Sequence, residues 1–161
     1  MAWEYMEELD YRYEDASNLI SPLSGEVVLD FNSGNSRFKD YLKGEFEYKS
    51  NDLYDKRAMY QITDADFLLQ EPKCDVLCCF GIGGHELTGE KLESSTITST
   101  LKLGIKKYEP RIVILDCVTK FIPIKNSILN LLSGYEIFTL RNMKKSNDWV
   151  FERELSVCIK K

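Results

Sequence analysis

Four residues at alternate positions, Asp30, Asn32, Gly34 and Ser36, follow the apolar run Val27-Val28-Leu29 in the stretch VVLDFNSGNSRF. An apolar strand that ends in an acid and then in small, turn-forming residues is the pattern of a buried parallel strand handing over to a ligand-gripping loop. Small residues matter there because the backbone must turn through positive φ and approach the ligand closely. Asn tolerates left-handed geometry better than other non-glycine residues and Ser adds only a small side chain, so the loop is expected to keep its shape with Asn32 and Ser36 where glycines would be expected. A second constellation lies in GIGGHEL, residues 81–87, where His85 and Glu86 follow three glycines. His85 has the intrinsic pKa range of a general base, and Glu86 could orient it or hold a substrate. The other reading makes His85 a backbone-bonded loop residue and Glu86 a first-turn helix acid.

These residues need strands and helices to position them. The 161-residue chain has room for one domain with a real core, here 1–161 with residues 1–22 as an N-terminal helical extension. In that extension Trp3, Met6, Leu9 or Asp10, and Tyr13 recur at helical spacing. Beyond it the reading alternates: EVVLDF a strand, SRFKDYLKG a short helix, FEYKS a strand, LYDKRAMY a helical turn or two, and MYQITDADFL a brief third strand ending near Asp64. DVLCCFGI is long and continuously apolar, as a central parallel strand covered on both faces should be. A helix over roughly 88–105, the strand RIVILDCV and the helix IKNSILNLLSGY follow. The last two strands, YEIFTLRNM and DWVFERELSVCIK, are joined by the short polar loop KKSND, whose Asp148 opens the second, too short for a crossover, so they must pair antiparallel. The expected fold is α/β, a doubly wound, mostly parallel sheet with one antiparallel strand from a C-terminal hairpin.

Composition excludes several classes. A formal net charge of −5 argues against autonomous, high-affinity nucleic-acid binding, though Lys102, Lys106, Lys107, Lys144 and Lys145 are available for a local patch or as solvated surface. The five cysteines, Cys74, Cys78, Cys79, Cys117 and Cys158, are odd in number and lie in or near apolar runs, as buried reduced thiols do. None has Cys-x-x-Cys spacing, and no metal site is expected. With no signal-like segment and no long apolar run, the expectation is a cytoplasmic protein without membrane contact.

The strand order and the motif together resemble the class I S-adenosylmethionine-dependent methyltransferases, from about residue 26 to 160. That resemblance implies a seven-stranded sheet whose last strand is antiparallel, inserted between the fifth and sixth. It also places Asp30, Asn32, Gly34 and Ser36 on the family's Asp/Glu-x-Gly-x-Gly-x-Gly motif, of which only the middle glycine is present. The resemblance implies S-adenosylmethionine as cofactor. Asp52 would take the ribose hydroxyls; it stands twenty-two residues after Asp30, near the spacing of such an acid in a βαβ unit, and would equally cap the segment that follows. Asp64 and Ala65 would meet the adenine edge, with Asp66 as competitor or either acid as a turn cap. Phe80 and Gly81, at the end of the next strand, would complete the cofactor site, with His85 and Glu86 as catalytic candidates.

No acceptor motif of the amino-group nucleic-acid methylases, cytosine-C5 enzymes or ribose methylases is present. The Gly-x-Gly-Gly of residues 81–84 is faintly similar to a loop of bacterial tRNA adenine-N1 methyltransferases, which favours RNA over a small molecule. Trp3, Tyr5 and Tyr13 either cover the ligand or pack the core. A chain without a target-recognition domain points to a protein partner. Two other readings stand: an inactive methyltransferase-fold subunit serving as scaffold, and a different nucleotide-binding α/β domain.

Overall fold

A computed structural model describes residues 10–82, 94–146 and 149–161. Six strands, β1 (Leu23–Asp30), β2 (Gly44–Ser50), β3 (Val76–Ile82), β4 (Ile112–Val118), β5 (Tyr135–Ser146) and β6 (Trp149–Lys160), form one sheet in the order β2-β1-β3-β4-β6-β5. The first four are parallel, while β6 runs antiparallel between β4 and β5. The hairpin expected from the short polar connection is therefore present, inserted as the resemblance implied.

The sheet has six described strands rather than seven. The expected strand near Asp64 shrinks to one parallel bridge, Asn51↔Tyr60. Thr63 then ends the extended segment: its side chain accepts from the Asp66 amide at 3.1 Å and starts α2 (Asp64–Gln70), with Asp64 and Asp66 favourably placed in the first turn. Local capping outcompetes a strand of so few residues. Two short helices expected from pattern also contract, SRFKDYLKG to a single 3₁₀ turn over Arg37–Asp40 and LYDKRAMY to non-helical turns. Gly44 follows the 3₁₀ turn at φ +95°, where an added Cβ would lie 2.1 Å from the Leu23 carbonyl oxygen.

Helices cover the two faces unequally. On one side α2, α3 (Ser94–Tyr108) and α4 (Ile122–Leu129) enclose a core that includes Leu29, Leu77, Cys79, Leu101, Leu115 and Ile128. The described part of α3 runs past the expected end at 105, with Ile97, Leu101 and Ile105 buried on one face and Leu103 exposed. Lys107 and Tyr108 donate to the Leu68 and Glu71 carbonyls that close α2.

The opposite face is covered by α1 (Tyr11–Asn18) and the 3₁₀ turn. Here Tyr13 packs edge-on to Phe80 at 4.8 Å and Phe38 lies 4.7 Å from the same ring. Tyr13 is thus a core residue; Trp3 and Tyr5 lie outside the described residues. All five cysteines are free and buried. Burial pushes the Cys117 thiol up to about 11, so these are packing residues rather than nucleophiles.

Candidate functional site

β1 and β3 are neighbours, but the chain leaves β1 toward β2 on one side and returns to β3 on the other, so their carboxyl ends flank a topological switch point. The candidates Asp30, Asn32, Gly34, Ser36, Asp52, Asp64 and Gly81 lie there. Asn32, Gly34 and Ser36 have φ of 52°, 58° and 58°, so all three adopt the left-handed turn although only one is glycine. Partners hold the two substitutes in place. The Asn32 amide donates to Asn51 Oδ1 at 3.1 Å, while Ser36 Oγ lies 3.1 Å from Ser33 Oγ and 2.8 Å from Ser50 Oγ. Gly81 closes the corner: a Cβ there would stand 3.4 Å from Asn32 Nδ2.

Asp30 ends β1 at 2% exposure, opposite Ser50 and Cys78. Tyr48, two residues before Ser50, donates its hydroxyl to Asp30 Oδ2, and Asp30 Oδ1 has no hydrogen-bond partner among the described residues. Burial pushes the Asp30 carboxyl up to about 7, with the nearby Asp52 charge adding to the rise and Tyr48 and Arg12 opposing it. A buried acid with an empty acceptor atom is an electrostatic demand for a donor or cation.

Asp52 is equally buried, but both of its oxygens are engaged. Oδ1 accepts from the amides of Tyr54 and Asp55 at 3.0 Å, and Oδ2 accepts from the Gly34 amide at 2.9 Å. It therefore caps the following turn, as one reading of the sequence had it, and also clamps the loop after β1. Asp64, in the first turn of α2, accepts from Asn51 Nδ2 at 2.8 Å; burial pushes its carboxyl up to about 6, with Asp52 contributing. Ala65 and Asp66 are exposed beside it.

Phe80 enters differently from the expectation drawn for it. Its ring belongs to the core, while its carbonyl oxygen accepts from Arg12 at 2.7 Å and Arg153 at 2.9 Å. The same two guanidinium groups grip Asp116 at the end of β4, at 3.3 Å and 2.5 Å. His85 and Glu86 lie outside the described residues.

Sequence reasoning missed Asn51, the hub that bonds to the β1 loop, to the Ile62 carbonyl and to Asp64. Adjacency to Asp52 was its only trace. It also missed Tyr48, whose alternation with Ser50 in β2 aims it at Asp30, and Arg12, whose partners are 68 and 104 residues away. Among the described residues no group of acids, cysteines and histidine could hold a metal, and no helix is long and apolar enough to cross a membrane.

No family model and no curated protein sequence matches the chain. Solved structures do. The E. cuniculi Mtq2–Trm112 complex, described as responsible for methylation of the eRF1 translation termination factor, aligns over 96% of this chain and 95% of that chain, with a TM-score of 0.62 and 17% identity. An rRNA methylase from Streptococcus thermophilus aligns over 94% of this chain and 95% of that one, with a TM-score of 0.58 and 11% identity. A Streptococcus mutans protein solved with SAH and proposed to be a methyltransferase aligns over 96% and 97%, with a TM-score of 0.59 and 11% identity. The chain has the fold of the class I methyltransferases.

Proposed function

We propose that the chain is an S-adenosylmethionine-dependent methyltransferase whose cofactor sits at the ends of β1, β2 and β3. The observation that carries this reading is Asp30, a buried carboxyl with an oxygen unpartnered among the described residues, beside three consecutive alternate residues in left-handed turns. A sulfonium cofactor bearing an α-amino group answers that demand: its cationic end would sit near Asp30 and the 32–36 turn. Asp52, Asp64 and Ala65 would border the nucleoside, with Gly81 letting it pass close to β3. The bound cofactor would supply an activated methyl group, and transfer would need alignment of the acceptor more than covalent help from the protein. His85 would take the acceptor's proton, with Glu86 orienting it. RNA is the favoured acceptor, supported by the Gly-x-Gly-Gly run and by the rRNA methylase among the fold neighbours, and a small molecule is second. The Mtq2–Trm112 neighbour supports a protein partner for target recognition.

One observation favours a second reading, an inactive subunit of the same fold. Asp52 accepts from three backbone amides, one of them Gly34's, which fills three of its roughly four lone-pair sites and leaves room for one ribose hydroxyl rather than two. Calorimetric titration with S-adenosylmethionine and with S-adenosylhomocysteine separates the two. The enzyme reading expects saturable binding that Asp52→Ala weakens at least tenfold while the protein stays folded. Heatless titrations from a folded sample would leave the scaffold.

A further inference from the structure

β5 is an edge strand of twelve residues, and on its outer side no described strand pairs with it. Residues 136–141 are all exposed, and so is Met143. Exposed apolar residues occur on both faces: Ile137 at 41% and Met143 at 61% on the α4 side, Phe138 at 37% and Leu140 at 38% on the α1 side. The other edge, β2, is seven residues long, with Phe46 and Tyr48 packed partly against the core. Monomeric proteins shorten, charge or cover such edges, because a long apolar edge offers a row of free amides and carbonyls to another strand.

We propose that β5 pairs antiparallel with β5 of a second copy of this chain, continuing the sheet across a two-fold axis at Leu140. An antiparallel edge-to-edge pair of identical strands has its axis normal to the sheet, so paired residues share a face and their numbers differ by an even count. With Leu140 on the axis, Glu136 lies opposite position 144, a lysine, and Ile137 lies opposite Met143; Phe138 meets Asn142, Thr139 meets Arg141, and Leu140 meets itself. Opposite charges and apolar partners both match. One residue further along, Arg141 would face its own copy on the axis. One residue back, Ile137 would face Arg141 and Glu136 would face Asn142, with no charge pair formed. The self-complementary register, not exposure alone, selects a second copy over an unrelated partner.

Sedimentation of the purified full chain across a concentration series tests this. The expected result is a reversible species of twice the 18.7 kDa chain mass, which Leu140→Lys reduces to one chain mass while the melting temperature stays within a few degrees. All five native cysteines are buried, so a new thiol on β5 reports cleanly. Leu140→Cys is expected to cross-link covalently under mild oxidation, while Thr139→Cys, two residues out of register with its own copy, is not. A wild-type chain that stays monomeric, or a dimer indifferent to Leu140→Lys, would overturn the proposal. Cross-linking at 139 in place of 140 would overturn the register.

Discussion

Two corners of the same sheet treat their acids in opposite ways. At the ends of β1 and β2, Asp30, Asp52 and Asp64 bond to a tyrosine hydroxyl, backbone amides and an asparagine, with no cation bonded to any of them among the described residues. Toward β4 and β6 every buried acid has a cation. Asp116 is held by Arg12 and Arg153, and Glu154 by Lys125 at 2.7 Å and Arg141 at 2.8 Å. The pKa directions follow. Burial pushes the carboxyls of Asp30 and Asp64 up with nothing strong enough to reverse it. Burial also pushes Glu154 up, but its bonds to Lys125 and Arg141 prevail and hold it below the usual carboxylate range. The difference lies in charge pairing. The β4–β6 corner pairs its acids with cations, although Asp116 Oδ1 has no hydrogen-bond partner among the described residues, whereas at the β1–β2 corner Asp30 combines an unpartnered oxygen with a carboxyl that no described cation bonds.

The comparison breaks most violently at Lys125, which is fully buried and also donates to Ser156 Oγ at 2.7 Å. Lys125→Met strips Glu154 of its buried partner and should cost about 3–5 kcal/mol of unfolding free energy in urea. Adding Glu154→Gln should restore part of that loss. If the single variant melts like the wild type, the β4–β6 corner does not depend on its ion pairs.

Asp30 sharpens the contrast through pH. Its folded pKa of about 7 lies above the ordinary 3.8, so between those values the native state holds a proton that the unfolded chain has lost. Stability conferred by the neutral carboxyl is therefore fully present below about 4, falls as pH rises, and levels off above about 7, a loss on the order of 4 kcal/mol. Asp30→Asn keeps the tyrosine partner and should flatten this slope in a series of melts. Cofactor affinity should run the other way, rising with pH through 7, because a cationic ligand favours the ionised acid. A flat wild-type profile would mean that Asp30 is not desolvated as its surroundings imply.

The smallest effect is expected at Ser36. Ser36→Gly removes a left-handed penalty of about 1–2 kcal/mol and two hydroxyl contacts worth about 1 kcal/mol each, so its net change should be near zero. Ser36→Ala keeps the strain, loses the contacts and should cost about 2 kcal/mol by denaturant titration. A Ser36→Ala variant as stable as the wild type would show that the Ser33–Ser36–Ser50 contacts do not hold the loop.

Much of this was legible in the chain. The unbroken apolar runs of β3 and β4 mark strands covered on both faces, and a short polar loop between two strand-like segments leaves only an antiparallel hairpin. The alternate Asp30, Asn32, Gly34 and Ser36 place a turn at the switch point, and the left-handed φ values agree. What failed was marginal local structure: the brief strand expected near Asp64 yields to the Thr63 cap, and a nine-residue helical pattern contracts to one 3₁₀ turn, because neither buries enough to outweigh a competing hydrogen bond.

By itself the sequence determined the order and kind of the long elements, because period and apolar continuity are local properties of the chain. It also determined which acid ends β1. Only the tertiary structure decided how each acid is treated. Arg12 comes to Asp116 across 104 residues and Asn51 couples three segments. Whether a buried carboxylate is neutralised, capped or left wanting depends on groups that meet only when the sheet assembles.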